Sequence, residues 1–331
     1  MRGEQARAIA CLGEALILVS DGRIHHLAGA EANVAMGLSA AGVSSAWIGR
    51  LGDDEFGATI RSELRRGAVD VSAVEVDPLR PTGHYSKQTD TDESGERRTT
   101  SRYQRSGSAA SAMDASFLDR QAVSAVLGRS AVLHCSGITP ALSESCRDMM
   151  IRLLTDRPGT SGLVSFDVNW REQLWPDGDP TVVVDLAGRA DLVLVGGDEA
   201  VRVLGTDDPI DLRRIWPQPT TIVVKDGARQ ALAIDRSGAI TTVPALRVDV
   251  VEPVGAGDAF AAGYLSGLVS GDDVVTCLRR GHIGAAATLT VASDWAPPVP
   301  GDVHRRLLSC SSSAWSATSV SAAGFAVPES D

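Results

Sequence analysis

Runs of apolar, β-prone residues recur along the chain at 8–19, 131–135, 163–168, 191–195 and 220–224. Between them the apolar positions fall at helical spacing over 31–42, 54–67, 143–155, 198–204 and 257–270. Continuous apolar strands suit a sheet covered on both faces, and strands alternating with helices pair in parallel. The pattern therefore predicts an α/β fold with a mainly parallel central sheet and helices on both faces. In such sheets ligands gather at the carboxyl ends of the strands. The first run, Ala8 to Val19, is interrupted by Gly13 and Glu14, and no small-residue cleavage site follows it. It reads as a first strand, not as a signal peptide or a membrane span.

Two regions break the rhythm. From Thr82 to Arg105 the chain reads as two polar strands, about 83–89 and 97–104, joined by the turn-rich segment Asp90 to Glu96. A hairpin of this kind cannot bury itself alone, so a projecting lid over about 82–106 is expected, with help from about 14–27. Past Arg306 the chain turns Ser- and Ala-rich, as in Ser309-Cys310-Ser311-Ser312-Ser313. Residues 306–331 are accordingly expected to be a poorly ordered tail on a single unit spanning 1–305.

With 331 residues, 44% hydrophobic and 22% charged, the chain can bury a large core. Its net charge of −11 argues against a nucleic-acid partner or an anionic membrane surface, which call for clustered Lys and Arg. A small anionic ligand held by a few local arginines is compatible with that charge. The five cysteines (Cys11, Cys135, Cys146, Cys277, Cys310) lack metal-ligand spacing and suit a reducing cytoplasm. The six histidines form no ligand set either, and only His84, beside Tyr85, adjoins candidate chemistry.

The densest chemistry lies in Glu252-Pro253-Val254-Gly255-Ala256-Gly257-Asp258-Ala259-Phe260. Gly255, Ala256 and Gly257 leave their amides bare where a helix opens, and such an end attracts phosphate. Asp258 adds a carboxylate at the same place. An acid beside an anion hole makes sense where a hydroxyl is deprotonated as a phosphoryl group arrives. Taken alone, the loop also fits close strand–helix packing, with Asp258 complementing the helix dipole. Neither a Walker A pattern nor G-x-G-x-x-G occurs.

Three further stretches accompany the loop GAGDAFAAGYL at 255–265, namely AGAEANVAMGLSAAG at 28–42, DVNWREQLW at 167–175 and VVKDGA at 223–228. Together, and in this order, they resemble the ribokinase (PfkB-type) family of carbohydrate kinases, from about Cys11 to Val303. The resemblance implies a ribokinase-like fold with a small β-lid over the sugar, and ATP with Mg²⁺ as phosphoryl donor. It makes Asp258 the base that takes the sugar hydroxyl proton, with Gly255, Ala256 and Gly257 as the hole for the moving phosphate. Within the family the chain is most similar to 2-keto-3-deoxygluconate kinases. That similarity places substrate contacts at Gly29, Asn33, Tyr85, Tyr103, Arg105 and Arg171, where a guanidinium matches a carboxylate with two parallel hydrogen bonds. Nucleotide contacts are implied at Asn169, Glu199, Lys225, Gly227 and Gly257, with Glu199 ordering Mg²⁺ through water. Because lids in this family often pack across a dimer, a homo-oligomer is expected.

The chain departs from the family pattern at several positions. Gly196 replaces the asparagine of a common Asn-x-x-Glu, Gln230 replaces the second glycine of Gly-x-x-Gly, and Ala28 replaces one of an early glycine pair. Glu252 stands where an aspartate is usual near a monovalent-cation site, which leaves a K⁺ requirement open. Three readings follow: a sugar-acid kinase acting on 2-dehydro-3-deoxy-D-gluconate, a neutral-sugar kinase of the fructokinase kind, and a silent sugar-binding regulator. The first accounts for Arg105 and Arg171 together with the loop.

Overall fold

The computed structural model describes residues 8–20, 24–91, 97–160, 162–175 and 177–328. The chain enters the core through β1 (Ala8–Leu12), then leaves it for β2 (Leu16–Ser20) and β3 (Ile24–Ala28). It returns through α1 (Ala30–Ala40), β4 (Ser45–Gly52), α2 (Glu55–Arg66) and β5 (Val74–Asp77). A second excursion is the hairpin β6 (His84–Thr91) and β7 (Arg97–Gln104). Alternation follows with α3 (Gln121–Arg129), β8 (Ser130–Ser136), α4 (Glu144–Asp156), β9 (Leu163–Asp167), α5 (Thr181–Arg189), β10 (Leu192–Gly196), α6 (Gly197–Leu204), α7 (Pro209–Ile215) and β11 (Thr221–Asp226). The chain then runs through β12 (Gln230–Asp235), β13 (Ile240–Pro244), β14 (Arg247–Val248), α8 (Ala256–Ser270), α9 (Val274–Leu289), α10 (Gly301–Ser309), α11 (Ser312–Ala317), β15 (Ser319–Ser321) and β16 (Gly324–Ala326).

Nine strands form the central sheet in the order β13-β12-β11-β10-β9-β8-β1-β4-β5, parallel except for the β11–β12–β13 meander. Side-chain alternation along each strand feeds two cores. Ala10, Leu12, Val164, Phe166, Val193 and Val195 pack with α3 to α7, whereas Ile9, Cys11, Leu192 and Leu194 pack with α1, α2, α8 and α9. This is the two-faced α/β arrangement expected. No helix among the described residues is long and apolar enough to cross a membrane.

The structure divides the run 8–19 between two sheets. β1 ends at Leu12, and after Gly13-Glu14-Ala15 the chain resumes as β2 in a separate sheet of order β3-β2-β6-β7. The polar hairpin at 84–104 thus has the partner strands it needs, and Leu16, Leu18, Ala28 and Tyr85 form a small apolar patch there. Part of the turn expected between the hairpin strands, residues 92–96, lies outside the described residues.

The expectation of a disordered tail after residue 305 fails for the described part of it. α10 continues to Ser309, α11 follows, and β15 pairs with β14 and β16. Composition misled because few residues carry the burial: Leu307, Trp315 and Val320 are all within 2% of complete burial, and the Trp315 indole N–H donates to the Pro244 carbonyl at 2.9 Å.

Candidate active site

The ends of β9, β10 and β11, the first turns of α1 and α8 and the underside of the small sheet meet around one open cleft of about 1240 Å³. Every catalytic, substrate and nucleotide candidate named from the sequence lines it, whereas Glu252 and His84 do not. The sheet explains the convergence: parallel neighbours deliver their carboxyl ends side by side, so Asp167, Gly196 and Lys225 arrive on adjacent strands.

Helix α8 points its N-terminus into the cleft. Its first backbone bond runs from Ala259 N to Gly255 O, so the amides of Ala256, Gly257 and Asp258 have no acceptor one turn back. Gly255 caps the helix at φ 83°, and a Cβ there would collide with the Asp294 carbonyl. Only glycine serves this corner. Asp258 accepts a hydrogen bond from Asn33 Nδ2 at 2.9 Å. Burial lifts the Asp258 carboxyl to about 7; the Asn33 bond holds it down, the charge of Asp167 adds to the rise, and Arg171 and Lys225 oppose it. A carboxyl poised there can exchange a proton near neutral pH.

Beneath the loop, Lys225 Nζ donates to Asp167 Oδ2 at 2.6 Å and stands 3.6 Å from where a Cβ on Gly257 would be. Burial alone would lower this ammonium, but Asp167 and Glu199 outweigh it and hold Lys225 above the ordinary lysine range. Glu199 accepts from the Gly196 amide at 2.9 Å and from Arg171 Nη1 at 3.3 Å, so with Asn absent at 196 the backbone itself orients the acid. Asn169 adopts φ 41°, rare for a side chain other than glycine, and its buried Oδ1 lacks a hydrogen-bond partner among the described residues. Backbone in this region is uncommon outside glycine, though asparagine tolerates it better than most residues. Gly227 lines the same wall beyond Lys225.

The opposite wall belongs to the small sheet and to α1. Gly29 opens α1 at φ 117°, where a Cβ would press on the Glu14 carbonyl at 2.5 Å. Tyr85 and Tyr103 stack with ring centroids 4.9 Å apart. Tyr85 is buried and its hydroxyl donates to Asp294 Oδ2 at 3.3 Å, while Tyr103 is half-exposed. Arg105 lies 4.3 Å above the Tyr103 ring and 3.3 Å from Glu14 Oε2. His84 packs on Phe56 and does not line the cleft. Trp170 and Trp175 stack on each other inside the core, as packing residues do.

Sequence reasoning missed Glu14 and Asp294 as cleft residues, and gave Asp167 no role of its own. Glu14 was visible as the acid breaking an apolar run. Asp294 gives no comparable signal, since only the fold brings it to Tyr85 across 209 positions.

The donor set fits the groups a kinase handles. Bare amides and Lys225 suit phosphate, and Glu199 with the buried Oδ1 of Asp167, which lacks a hydrogen-bond partner among the described residues, offers hard oxygens to a divalent ion. No group of three or more metal-ligating side chains exists among the described residues. Mg²⁺, which keeps most of its water and leans on phosphate oxygens, does not need one.

The sequence profile of the pfkB family carbohydrate kinases matches residues 11–300. The 2-dehydro-3-deoxygluconokinase of Thermoproteus tenax is 34% identical over 274 residues, 81% of this chain and 81% of that protein. The fructokinase of Klebsiella pneumoniae is 33% identical over 314 residues, 89% of this chain and 98% of that protein. The crystal structure of a PfkB protein from Polaromonas sp. JS666 superposes with a TM-score of 0.76 at 30% identity, covering 92% of this chain and all of the other. A profile spanning most of the chain, on a fold whose candidate residues share one cleft, establishes that the chain belongs to the pfkB family of carbohydrate kinases.

Proposed function

We propose that this sugar kinase phosphorylates a sugar acid, 2-dehydro-3-deoxy-D-gluconate, at its 6-hydroxyl, with ATP as donor. The observation carrying the reading is the presence of Arg105 and Asp258 in one cleft, a guanidinium under the lid and a base at the anion loop. The sugar-acid kinase from Thermoproteus tenax supports the same substrate class.

In this reading the sugar lies between the small sheet and α1, with its carboxylate toward Arg105 and its hydroxyls in reach of Asn33 and Gly29. Asp258 removes the proton from the attacking hydroxyl. Asn33 fixes the carboxylate through the bond it already makes. The amides of 255–257 receive the charge that collects on the phosphoryl oxygens, and Lys225 supplies a full positive charge beside them. Mg²⁺, held by Glu199 through water, would neutralise charge on the nucleotide phosphates. Lid and anion loop exclude water, which limits wasteful hydrolysis.

The fructokinase similarity favours a second reading, a neutral ketose as acceptor. A panel of sugar acids and ketoses scored by ATP consumption separates the two, before and after Arg105→Ala. Under the sugar-acid reading the variant loses acid turnover by about two orders of magnitude, the cost of a buried charged contact. If fructose is the better acceptor and survives that change unharmed, the proposal fails. Asp258→Asn is expected to retain sugar binding while kcat falls by about 10² or more.

A further inference from the structure

Under the proposed function the cleft receives two anions, yet its wall carries five carboxylates (Glu14, Asp198, Glu199, Asp258, Asp294) against the three cations Arg105, Arg171 and Lys225. Each cation is already matched: Lys225 to Asp167, Arg171 to Glu199, Arg105 to Glu14. The last pair is unusual. Glu14, on the crossing from β1 to β2, is 1% exposed, and Arg105 Nη1 stands 3.3 Å from its Oε2 without hydrogen-bond alignment. Both Glu14 oxygens, and Nε and Nη1 of Arg105, lack a hydrogen-bond partner among the described residues. Buried groups of this kind are normally satisfied, so unused capacity at a ligand wall points to a ligand.

We propose that Glu14 selects a sugar acid over a neutral sugar: it takes up a proton when the substrate carboxylate joins Arg105, and donates that proton back to the substrate in a hydrogen bond. The inference rests on the sugar-acid reading above. One guanidinium cannot neutralise two carboxylates out of water, and of two acids crowded together one takes a proton. Glu14 is the one free to do so, because the substrate acid is held by the guanidinium. The step forms a single O–H bond, its proton coming from solvent. A neutral sugar leaves the Glu14–Arg105 pair intact and takes up nothing.

The groups facing Glu14 agree with this direction. Arg105, just past β7, favours its charged form, while Glu31 from α1 shares its field and Cys146 from α4 is an uncharged neighbour. Burial prevails over Arg105 and lifts Glu14 to about 7 before any ligand arrives. A second carboxylate competing for Arg105 weakens the opposing influence that Arg105 exerts.

Calorimetric titration of the full chain with 2-dehydro-3-deoxy-D-gluconate at pH 8, without ATP, in buffers of different ionisation enthalpy, counts the protons. The wild type is expected to take up about one proton per sugar acid, and its affinity to weaken about tenfold per pH unit above pH 8. Glu14→Gln should bind the sugar acid with no uptake and little change from pH 7 to 9. Should that variant not fold, the pH dependence of wild-type affinity and its proton count carry the test. Binding without proton uptake, or undiminished uptake in Glu14→Gln, overturns the inference alone. Failure to bind any sugar acid sinks the functional reading, and the inference falls with it.

Discussion

At the scale of single residues, the site is a set of buried charges whose partners decide what each can do. The Lys225–Asp167 pair is nearly enclosed, with side chains 16% and 2% exposed. Removing one partner of such a pair typically costs about 3–5 kcal/mol, because the other charge is left stranded. Lys225→Met should therefore lower both stability and kcat, whereas Lys225→Met combined with Asp167→Asn should regain much of the stability but none of the rate. Thermal melts beside steady-state kinetics distinguish scaffold from chemistry: equal recovery of both would make Lys225 purely structural. Glu31 offers a test in pH. Its carboxyl is buried against Gly13, donated to by the Ser136 hydroxyl, and lifted by burial to about 8, with Asp258 and Glu14 adding to the rise. The folded protein then holds a proton that the unfolded chain releases near 4.5, so this group's stabilisation is full below that value and fades as pH climbs through 8. Melting temperature should drop between pH 5 and 9, and Glu31→Gln should flatten that slope. A slope unaltered by the substitution would assign the effect elsewhere.

At the scale of elements, the helix start at 255–258 and the polar hairpin were legible because their patterns are local. Small residues before an acid at a helix start, and a polar hairpin inside an apolar chain, carry meaning within a dozen positions. The division of the first apolar run into β1 and β2 was not legible. Hydrophobicity stays high across Gly13-Glu14-Ala15, and nothing local says that two sheets share the run. β4 was missed because Gly49 and Arg50 blur its apolar pattern, and the β12–β13 hairpin because its outer strand, Ile-Thr-Thr-Val-Pro, is short and mostly exposed. The contact between Tyr85 and Asp294 links lid to body, and the Asp294 backbone also backs Gly255. Tyr85→Phe keeps the ring stack on Tyr103 but drops the hydroxyl. It is expected to cost about 1 kcal/mol of lid closure, seen as a roughly fivefold rise in KM for the sugar and faster amide exchange in β6. Unchanged exchange with a raised KM would instead make the hydroxyl a direct sugar contact.

Across the whole molecule, packing ties the C-terminal segment to the catalytic half. Trp315 lies beneath Arg279 at 4.9 Å and beside His282, whose ring contacts Phe260 on α8. Truncation of so large a buried side chain typically costs about 3–5 kcal/mol, and Trp315→Ala should move the urea midpoint accordingly. A loss below about 1 kcal/mol would mean that the segment is only draped on the body. Composition hid this because a Ser- and Ala-rich stretch needs only three or four anchors to be fixed.

The crossing at Gly13-Glu14-Ala15 makes the lid a poor candidate for modular exchange. A chimera that imports residues 82–106 from a relative brings two strands of a four-stranded sheet and leaves the other two, with the acid that faces Arg105, in the recipient. Such grafts should misjudge their acceptor unless residues 13–28 travel with them. If Glu14 reads the acceptor as proposed, selection for a new sugar acts on two separate stretches of the gene at once.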